Sequence, residues 1–139
     1  MNRYWIGVVS EEHVRVAQAE GFAQFCHGKI WPVKKLDMGD WIIYYSPKIR
    51  MNHPEPCKSF TAIGEVIDNI PYQIEQFPGF DPYRRNIRYC NTKNVPIQEM
   101  MDCLEFIKKT PNWGLTIRRG FFEISASDFS IISKRMVIE

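Results

Sequence analysis

The sequence predicts an α+β fold in which a curled mixed β-sheet is flanked by short helices. Short runs of β-branched and aromatic residues recur between turn signals, as in sheets built from several short strands. Helical patterns follow the first and last of these runs, and a glycine inside the longest run favours a bend in the sheet. The 139 residues, 45% of them apolar, suit one core, so we expect a single domain over residues 1–139.

The first strand and the first helix are predicted next to each other at the start of the chain. Residues 4–9 form a β-branched and aromatic run that ends at Ser10, whose side chain can cap the following helix. Val14 and Ala17 share one face of that helix, and Gly21 ends it. Residues 22–39 lack sustained periodicity and are predicted to form a structured loop with a short turn.

Three more strands are expected downstream. Residues 41–46 form a strongly aromatic strand that Pro47 stops, and residues 59–70 form a long strand. Gly64 within it marks a bulge or a close backbone approach. Residues 84–90 alternate sufficiently to form another strand.

The last third of the chain predicts a helix, a strand and a closing helix. Apolar residues at i, i+3, i+4 and i+7 predict an amphipathic helix over residues 97–107. Residues 121–124 form the last strand. Ser125 then begins a capping box for a helix whose inward side chains are Phe129, Ile132 and Met136.

Charge is modest overall and unevenly placed. The net charge is +2, so indiscriminate electrostatic binding to nucleic acid is not expected. Residues 29–50 nevertheless carry five lysines and arginines against two aspartates, a local charge of +3. This distribution fits either a basic rim that contacts a few phosphates or an ordinary mixed surface.

Several functional classes lack their motifs. The four cysteines are widely spaced and predict free thiols without a zinc site. Neither phosphate-binding glycine motif is present, so an ATP-driven enzyme is disfavoured and no cofactor or metal is predicted. No stretch is apolar enough to span a bilayer and no secretory signal is apparent, so we expect a soluble, cytoplasmic monomer.

Cys26 and His27 lie in a loop among aromatic residues and glycines. Three interpretations stay open for them: a thiol nucleophile with its base, a core cysteine beside a histidine that fixes the loop, or a ligand-binding loop. In the third interpretation, Gly28 lets backbone amides approach a ligand and Lys29 contacts a phosphate or a base edge.

Aromatic residues are numerous for a chain of this length. Most must belong to the core, but two or three are available to stack on a flat base. The candidates are Trp5, Phe25, Trp31, Trp41, Tyr44, Tyr45 and Trp113.

Several blocks along the chain occur in the order typical of one known domain. They are YWIGVVS at residues 4–10, GFAQFCHGK at 21–29, GDWIIYYSP at 39–47, FTAIG at 60–64, PYRR at 82–85, NWG at 112–114 and GFFEIS at 120–125. In these blocks the chain resembles the EVE domain. The EVE family belongs to the PUA-like β-barrels and is similar to YTH domains, which read methylated adenine in RNA. The resemblance implies a PUA-like barrel that recognises a modified base.

The resemblance also implies where the base binds. In the PUA-like group the pocket lies where the first strand meets the first helix, beside the following loop and the next strand. Carried onto this sequence, the ligand-binding positions are Val9, Ser10, Phe25, Cys26, His27, Gly28, Lys29, Tyr44, Tyr45, Ser46 and Pro47. Candidate phosphate contacts beside them are Lys34, Lys48 and Arg50. YTH pockets use tryptophans, whereas this loop offers Phe25 and, further on, Trp31.

Three functions are therefore weighed. The first is non-enzymatic binding of a modified nucleobase in DNA or RNA through an aromatic pocket. The second is a small hydrolase of modified nucleosides, which requires Ser10, Lys29 and Glu65 to converge. The third is a protein-interaction module, which requires an exposed apolar patch in place of a deep pocket.

Overall fold

The computed structural model describes residues 2–138, in which eight strands and five α-helices are found. The strands are β1 (Tyr4–Val8), β2 (Phe22–Ala23), β3 (Trp41–Lys48), β4 (Pro56–Val66), β5 (Tyr72–Gln73), β6 (Tyr83–Tyr89), β7 (Val95–Pro96) and β8 (Phe121–Ile124). The helices are α1 (Glu11–Glu20), α2 (Ile30–Lys34), α3 (Glu105–Lys108), α4 (Trp113–Arg118) and α5 (Ala126–Met136). Short 3₁₀ turns lie at Cys26–Gly28 and Ile97–Met100.

The strands form one mixed sheet that curls into a half-barrel. Its order is β2-β6-β4-β3-β1-β8, with β5 added to β6 and β7 added to β4. β1 and β3 are parallel, whereas the other neighbours in this order are antiparallel. This architecture confirms the curled mixed α+β sheet that the sequence predicts.

Two apolar clusters cover the opposite faces of the sheet. Side chains on a strand alternate between faces, so adjacent residues of β3 enter different clusters. Tyr44 packs with Phe25 and the buried face of α1, whereas Tyr45 packs with Phe60 and the buried face of α5. The sheet therefore separates a face that carries α1 and the Phe25 loop from a face covered by α5.

Both capped helices are confirmed. Ser10 Oγ accepts a hydrogen bond from the His13 amide at 3.4 Å, and Gly21 ends α1 in the left-handed conformation. Ser125 Oγ accepts from the Asp128 amide at 3.1 Å at the start of α5. In each helix, the serine that precedes the first helical residue satisfies one of the free terminal amides.

Several sequence predictions about element boundaries are wrong. The long strand predicted over residues 59–70 is β4, which begins at Pro56 and ends at Val66. Pro47 does not stop β3, which continues to Lys48 past a register shift between Ser46 and Lys48. The predicted helix over residues 97–107 is broken into a 3₁₀ turn at Ile97–Met100 and the short α3. Leu104 between these pieces is extended, with φ −88° and ψ 127°.

Gly64 marks a close backbone approach and not a bulge. A Cβ atom there would lie 2.3 Å from Ile87 Cγ2 of the neighbouring strand. The bulge in β4 lies nearby instead, between the pairs Tyr44–Ala62 and Tyr45–Phe60. The sheet therefore bends at a residue that the sequence pattern does not mark.

Within residues 2–138, none of the helices combines the length and the apolar character needed to cross a membrane.

Candidate functional site

A cavity opens at the edge of the sheet where β1 and β3 both end. Because these strands are parallel, their carboxyl ends meet at one edge, and Val9 N donates to Tyr45 O at 3.1 Å. The antiparallel β8 begins at the same edge, where Val8 N donates to Gly120 O at 2.9 Å. The fold thus brings the start of α1 and the turn before β8 to one place.

The cavity has a volume of about 750 Å³. Its walls come from the ends of β1, β3 and α4 with the residues that follow them, the first turn of α1, the loop after β2 with the start of α2, and the segment after β5. The lining residues are Val8, Val9, Ser10, His13, Gln24, Phe25, Cys26, His27, Gly28, Lys29, Trp31, Pro47, Met51, Gln76, Phe77, Phe80, Ile117, Arg118, Arg119 and Gly120. The volume lies within the range of about 300–1,000 Å³ found for small-ligand sites.

The loop at Cys26–Gly28 has an unusual backbone. Cys26, His27 and Gly28 have φ of 51°, 60° and 78°, a left-handed run in which the first two residues carry a Cβ. Each such residue costs about 1–2 kcal/mol, which surrounding contacts must offset. At Gly28 a Cβ would lie 2.4 Å from Pro82 Cβ, so this turn packs directly on the segment that follows β5.

Aromatic rings form the floor and part of the walls. Phe25 is buried beneath the cavity, with its ring centre 4.7 Å from that of Phe121 and 5.4 Å from that of Tyr44. Trp31, Phe77 and Phe80 lie nearer the opening, and Trp31 and Phe77 are 39% and 56% exposed. Exposed rings beside a buried one are suited to contact with a flat ligand.

Polar groups lie at the start of α1. The Ser10 hydroxyl accepts from the His13 amide and keeps its own hydrogen available. Burial and then the nearby charge of Arg84 lower the pKa of His13, and its Nε2 atom has no hydrogen-bond partner within residues 2–138. His13 is therefore a neutral imidazole near pH 7, with ring-edge contacts to Phe22 and Tyr44.

Positive groups surround the opening. Lys29, Arg118 and Arg119 are exposed at the cavity, and no aspartate or glutamate of residues 2–138 lines it. An anionic group bound in the cavity would meet no carboxylate among the lining side chains.

Eight of the eleven predicted ligand-binding residues line the cavity. They are Val9, Ser10, Phe25, Cys26, His27, Gly28, Lys29 and Pro47. Tyr44 lies below the cavity, where its hydroxyl donates to Gln24 O and accepts from Gln24 N, both at 3.3 Å. Ser46 is buried with its hydroxyl 2.8 Å from that of Thr61.

Tyr45 lies away from the cavity. Its side chain is on the opposite face of the sheet, with its ring centre 5.6 Å from that of Phe60. Alternation along β3 explains the difference, because a strand that turns Tyr44 toward Phe25 must turn Tyr45 away.

The three predicted phosphate contacts occupy different surroundings. Lys34 lines a second cavity of about 460 Å³, which shares Arg119 with the first. Lys48 is exposed at the end of β3. Arg50 is also exposed, but its Nε lies 3.5 Å from Glu12 Oε2, so part of its charge is already balanced.

The groups required for the two catalytic interpretations do not come together. Cys26 Sγ donates to Arg119 O at 3.6 Å, and burial raises the pKa of this thiol, whereas the neighbouring His27 is exposed. A protonated thiol is a poor nucleophile. Glu65 lies opposite Trp41 in the pairing of β3 with β4 and forms an ion pair with Arg88. This places it at the end of the sheet opposite Ser10 and Lys29.

Sequence reasoning missed two walls of the cavity. One is residues 76–80, where Phe77 and Phe80 flank a Pro-Gly turn with ring centres 5.0 Å apart. The other is residues 117–120, where two arginines precede Gly120. Aromatic residues around a turn and an arginine pair before a strand were the available signals.

The half-barrel with its cavity at the ends of two parallel strands is a fold of the YTH and EVE type. The chain belongs to the EVE domain family, whose model it matches over residues 3–135.

Sequence relatives align with this chain over most of its length. A UPF0310 protein encoded in the gntR 5′ region of Bacillus licheniformis is 45% identical over 128 residues, which cover 92% of this chain and 87% of the relative. UPF0310 protein YdcG of Bacillus subtilis is 45% identical over 133 residues, with 96% and 91% covered.

Among solved structures, the YTH domain of the Zygosaccharomyces rouxii MRB1 protein, in complex with N6-methyladenosine RNA, superposes with a TM-score of 0.63. It is 16% identical, and the match covers 96% of this chain and 85% of that one. A hypothetical protein from Leishmania major also gives 0.63 at 14% identity, with 96% and 94% covered. At these identities the likeness concerns the fold.

Proposed function

We propose that this protein binds one modified nucleobase, extruded from DNA or RNA, in the cavity at the ends of β1 and β3, and releases it unchanged. The observation that carries the proposal is the composition of the cavity wall. Aromatic rings, hydrogen-bonding side chains and cations surround a volume of about 750 Å³, without an acidic residue from the described part of the chain.

Each component of the wall has a counterpart in an extruded nucleotide. A base has flat faces that stack on rings such as Trp31 and Phe77, and an edge that hydrogen-bonds to groups such as Ser10. Its flanking phosphates favour nearby cations such as Lys29 and Arg119. The fold likeness to a YTH domain solved with N6-methyladenosine RNA supports the same ligand class.

Titration with short single-stranded oligonucleotides tests this proposal. The probes carry 5-methylcytosine, 5-hydroxymethylcytosine or N6-methyladenine at one position, with unmodified strands as references. We expect at least one modified strand to bind more tightly than its reference. Equal or absent binding across the set would overturn the proposal.

A matched pair of variants tests whether the cavity is the site. Phe77→Ala removes an exposed ring of the wall and should weaken binding by about tenfold, since a stacked base contributes about 1–3 kcal/mol. Ile70→Ala removes an exposed apolar side chain outside the wall and should leave binding unchanged. Equal effects of the two substitutions would move the site elsewhere.

A separate incubation tests for turnover. The protein is mixed with excess modified nucleosides, and free base and sugar are measured by mass spectrometry. We expect the nucleosides to be recovered intact. Release of free base that depends on Lys29 or Ser10 would replace the binding proposal with the hydrolase.

A further inference from the structure

Three side chains in and behind one wall of the cavity form one hydrogen-bond network. Arg84 Nε donates to Gln24 Oε1 at 2.9 Å, and Arg84 Nη2 donates to Gln76 Oε1 at 3.1 Å. Gln24 Nε2 also donates to Gln76 Oε1 at 3.3 Å. Gln24 and Gln76 line the cavity, whereas Arg84 lies behind them.

Arg84 fixes the orientation of both amides. A guanidinium donates hydrogen bonds and accepts none, so each glutamine must turn its oxygen toward Arg84. Arg84 is itself held in place, because it is 7% exposed and its Cζ lies 3.7 Å from the centre of the Phe22 ring. Rotation of either amide would bring donor against donor.

In this arrangement Gln76 can offer a ligand only hydrogen-bond donors. Its oxygen already accepts two hydrogen bonds, which matches the capacity of an amide oxygen. Its Nε2 group has no acceptor within residues 2–138 and keeps both hydrogens. Gln24, which is 5% exposed, has one amide hydrogen left after its bond to Gln76.

We propose that Arg84 is a positioning residue that makes Gln24 and Gln76 a donor-only wall, which selects a base edge with two adjacent acceptors. The inference rests on the proposed function and specifies the base edge that enters the cavity. Guanine presents such an edge at N7 and O6, and cytosine presents one at N3 and O2.

Adenine does not match this wall. A glutamine that reads adenine uses its amide oxygen to accept from N6 and its amide nitrogen to donate to N7. Gln76 has no free oxygen for that pairing. The cations at the opening, Lys29 and Arg119, are donors as well. Acceptors such as the Ser10 hydroxyl and His13 Nε2, which has no partner within the described residues, lie at the start of α1 and not on the wall formed by the two glutamines.

An isosteric substitution at Gln76 replaces a hydrogen-bond donor of the wall with an acceptor. In Gln76→Glu one carboxylate oxygen still accepts from Arg84, while the other replaces the donating Nε2 with an acceptor. In Gln76→Met the side chain keeps a similar length but loses hydrogen bonding. Because Gln76 is exposed, both variants should fold, which thermal unfolding checks.

The experiment compares affinities for two strands of identical flanking sequence, one with 5-methylcytosine and one with N6-methyladenine. We expect the wild-type protein to prefer the acceptor edge of cytosine by about tenfold, Gln76→Glu to lose or invert this ratio, and Gln76→Met to bring it near one.

Equal wild-type affinity for the two strands, or a ratio that both variants leave unchanged, would overturn the donor wall while the proposed function stands. A wild-type preference for the adenine strand would overturn it as well. Binding of neither strand, nor of any strand in the wider set, would overturn the proposed function and this inference with it.

Discussion

The ring of Phe25 occupies the space that a side chain on Gly7 would need. An ideal Cβ on Gly7 would lie 2.2 Å from Phe25 Cε1, far inside van der Waals contact. Gly7 lies in β1, directly below the cavity, and Phe25 forms the cavity floor. Because Gly7 has no side chain, the Phe25 ring can pack directly against β1, and the position of this ring sets the depth of the cavity.

Gly7→Ala should therefore disturb the cavity from below. We expect the methyl group to displace Phe25, lower the free energy of unfolding by about 1–3 kcal/mol and weaken ligand binding. Gly114→Ala is the control, because the nearest atom to its Cβ is 3.4 Å away and alanine suits a helix. Denaturant unfolding and titration measure the two effects. A fully stable Gly7→Ala protein would contradict the packing described here.

Arg85 should be essential for the position of α2. Its buried guanidinium donates to the carbonyls of Val33 and Leu36 and to Asp68 Oδ1, the last at 2.6 Å. Arg85→Met leaves these acceptors without their donor and should cost about 3 kcal/mol of unfolding free energy. Arg88→Met on the same strand removes an exposed ion pair and should cost less than about 1 kcal/mol.

Chemical denaturation of the two arginine variants decides the point. Similar losses of stability would mean that the buried network around Arg85 contributes no more than a surface pair.

His13 should make stability depend on pH. Burial lowers the pKa of folded His13, so the unfolded chain binds more protons and stability falls as pH drops below the ordinary histidine pKa of about 6.5. The slope cannot exceed about 1.4 kcal/mol per pH unit for one group. Unfolding free energies from about pH 7.5 to about pH 5 should fall less steeply in His13→Gln than in the wild type.

His53→Gln supplies a matched histidine-to-glutamine control at an exposed position. Parallel pH profiles for the wild type and His13→Gln would show that His13 does not contribute to the pH dependence.

Lys34 should contribute to phosphate binding more than Arg50 does. Each phosphate contact of a single strand adds about 0.7 to the slope of log affinity against log salt. Lys34→Ala should lower this slope by about that amount, and Arg50→Ala by less, because Glu12 already balances part of its charge. Lys108→Ala, on α3, should leave the slope unchanged. If Lys34→Ala, Arg50→Ala and Lys108→Ala all gave the same slope of log affinity against log salt, Lys34 would be excluded as a phosphate contact.

Local sequence signals predicted the start and the end of α1 well. The Ser10 side chain caps α1 by accepting a hydrogen bond from the amide of His13, three residues further along the chain. Gly21 and Gly28 both have a positive φ, which is the backbone conformation that a glycine at a turn indicates. Such features depend on neighbours within a few residues. The ligand-binding positions at residues 25–29 came from the resemblance to the EVE domain and stay a prediction.

Features that depend on distant residues were not predicted. The periodic run over residues 97–107 correctly marked Ile97 and Leu104 as buried, yet Leu104 is extended. The reason is Asp128 in α5, whose carboxylate accepts from the amides of Glu105 and Phe106 and so starts α3 anew. A helix boundary set by a residue 23 positions away leaves no local pattern.

The cavity walls from residues 76–80 and 117–120 were missed for the same reason. They reach the site through the strand order β6-β4-β3-β1-β8, which no periodicity reveals. Strand alternation alone shows that Tyr44 and Tyr45 lie on opposite faces, but which of the two faces the cavity follows from the packing of the whole sheet.

The most direct test of the central claim is an NMR titration that maps changes in the backbone amide chemical shifts. The protein is titrated with a strand that carries the modified base it prefers, and the changes are compared with those caused by the unmodified strand. We predict that the shifts specific to the modified strand concentrate at residues 24–29, 76–80 and 117–120 around the cavity. Modification-specific shifts centred on α5 and the Tyr45 face of the sheet, with the cavity residues unchanged, would contradict it.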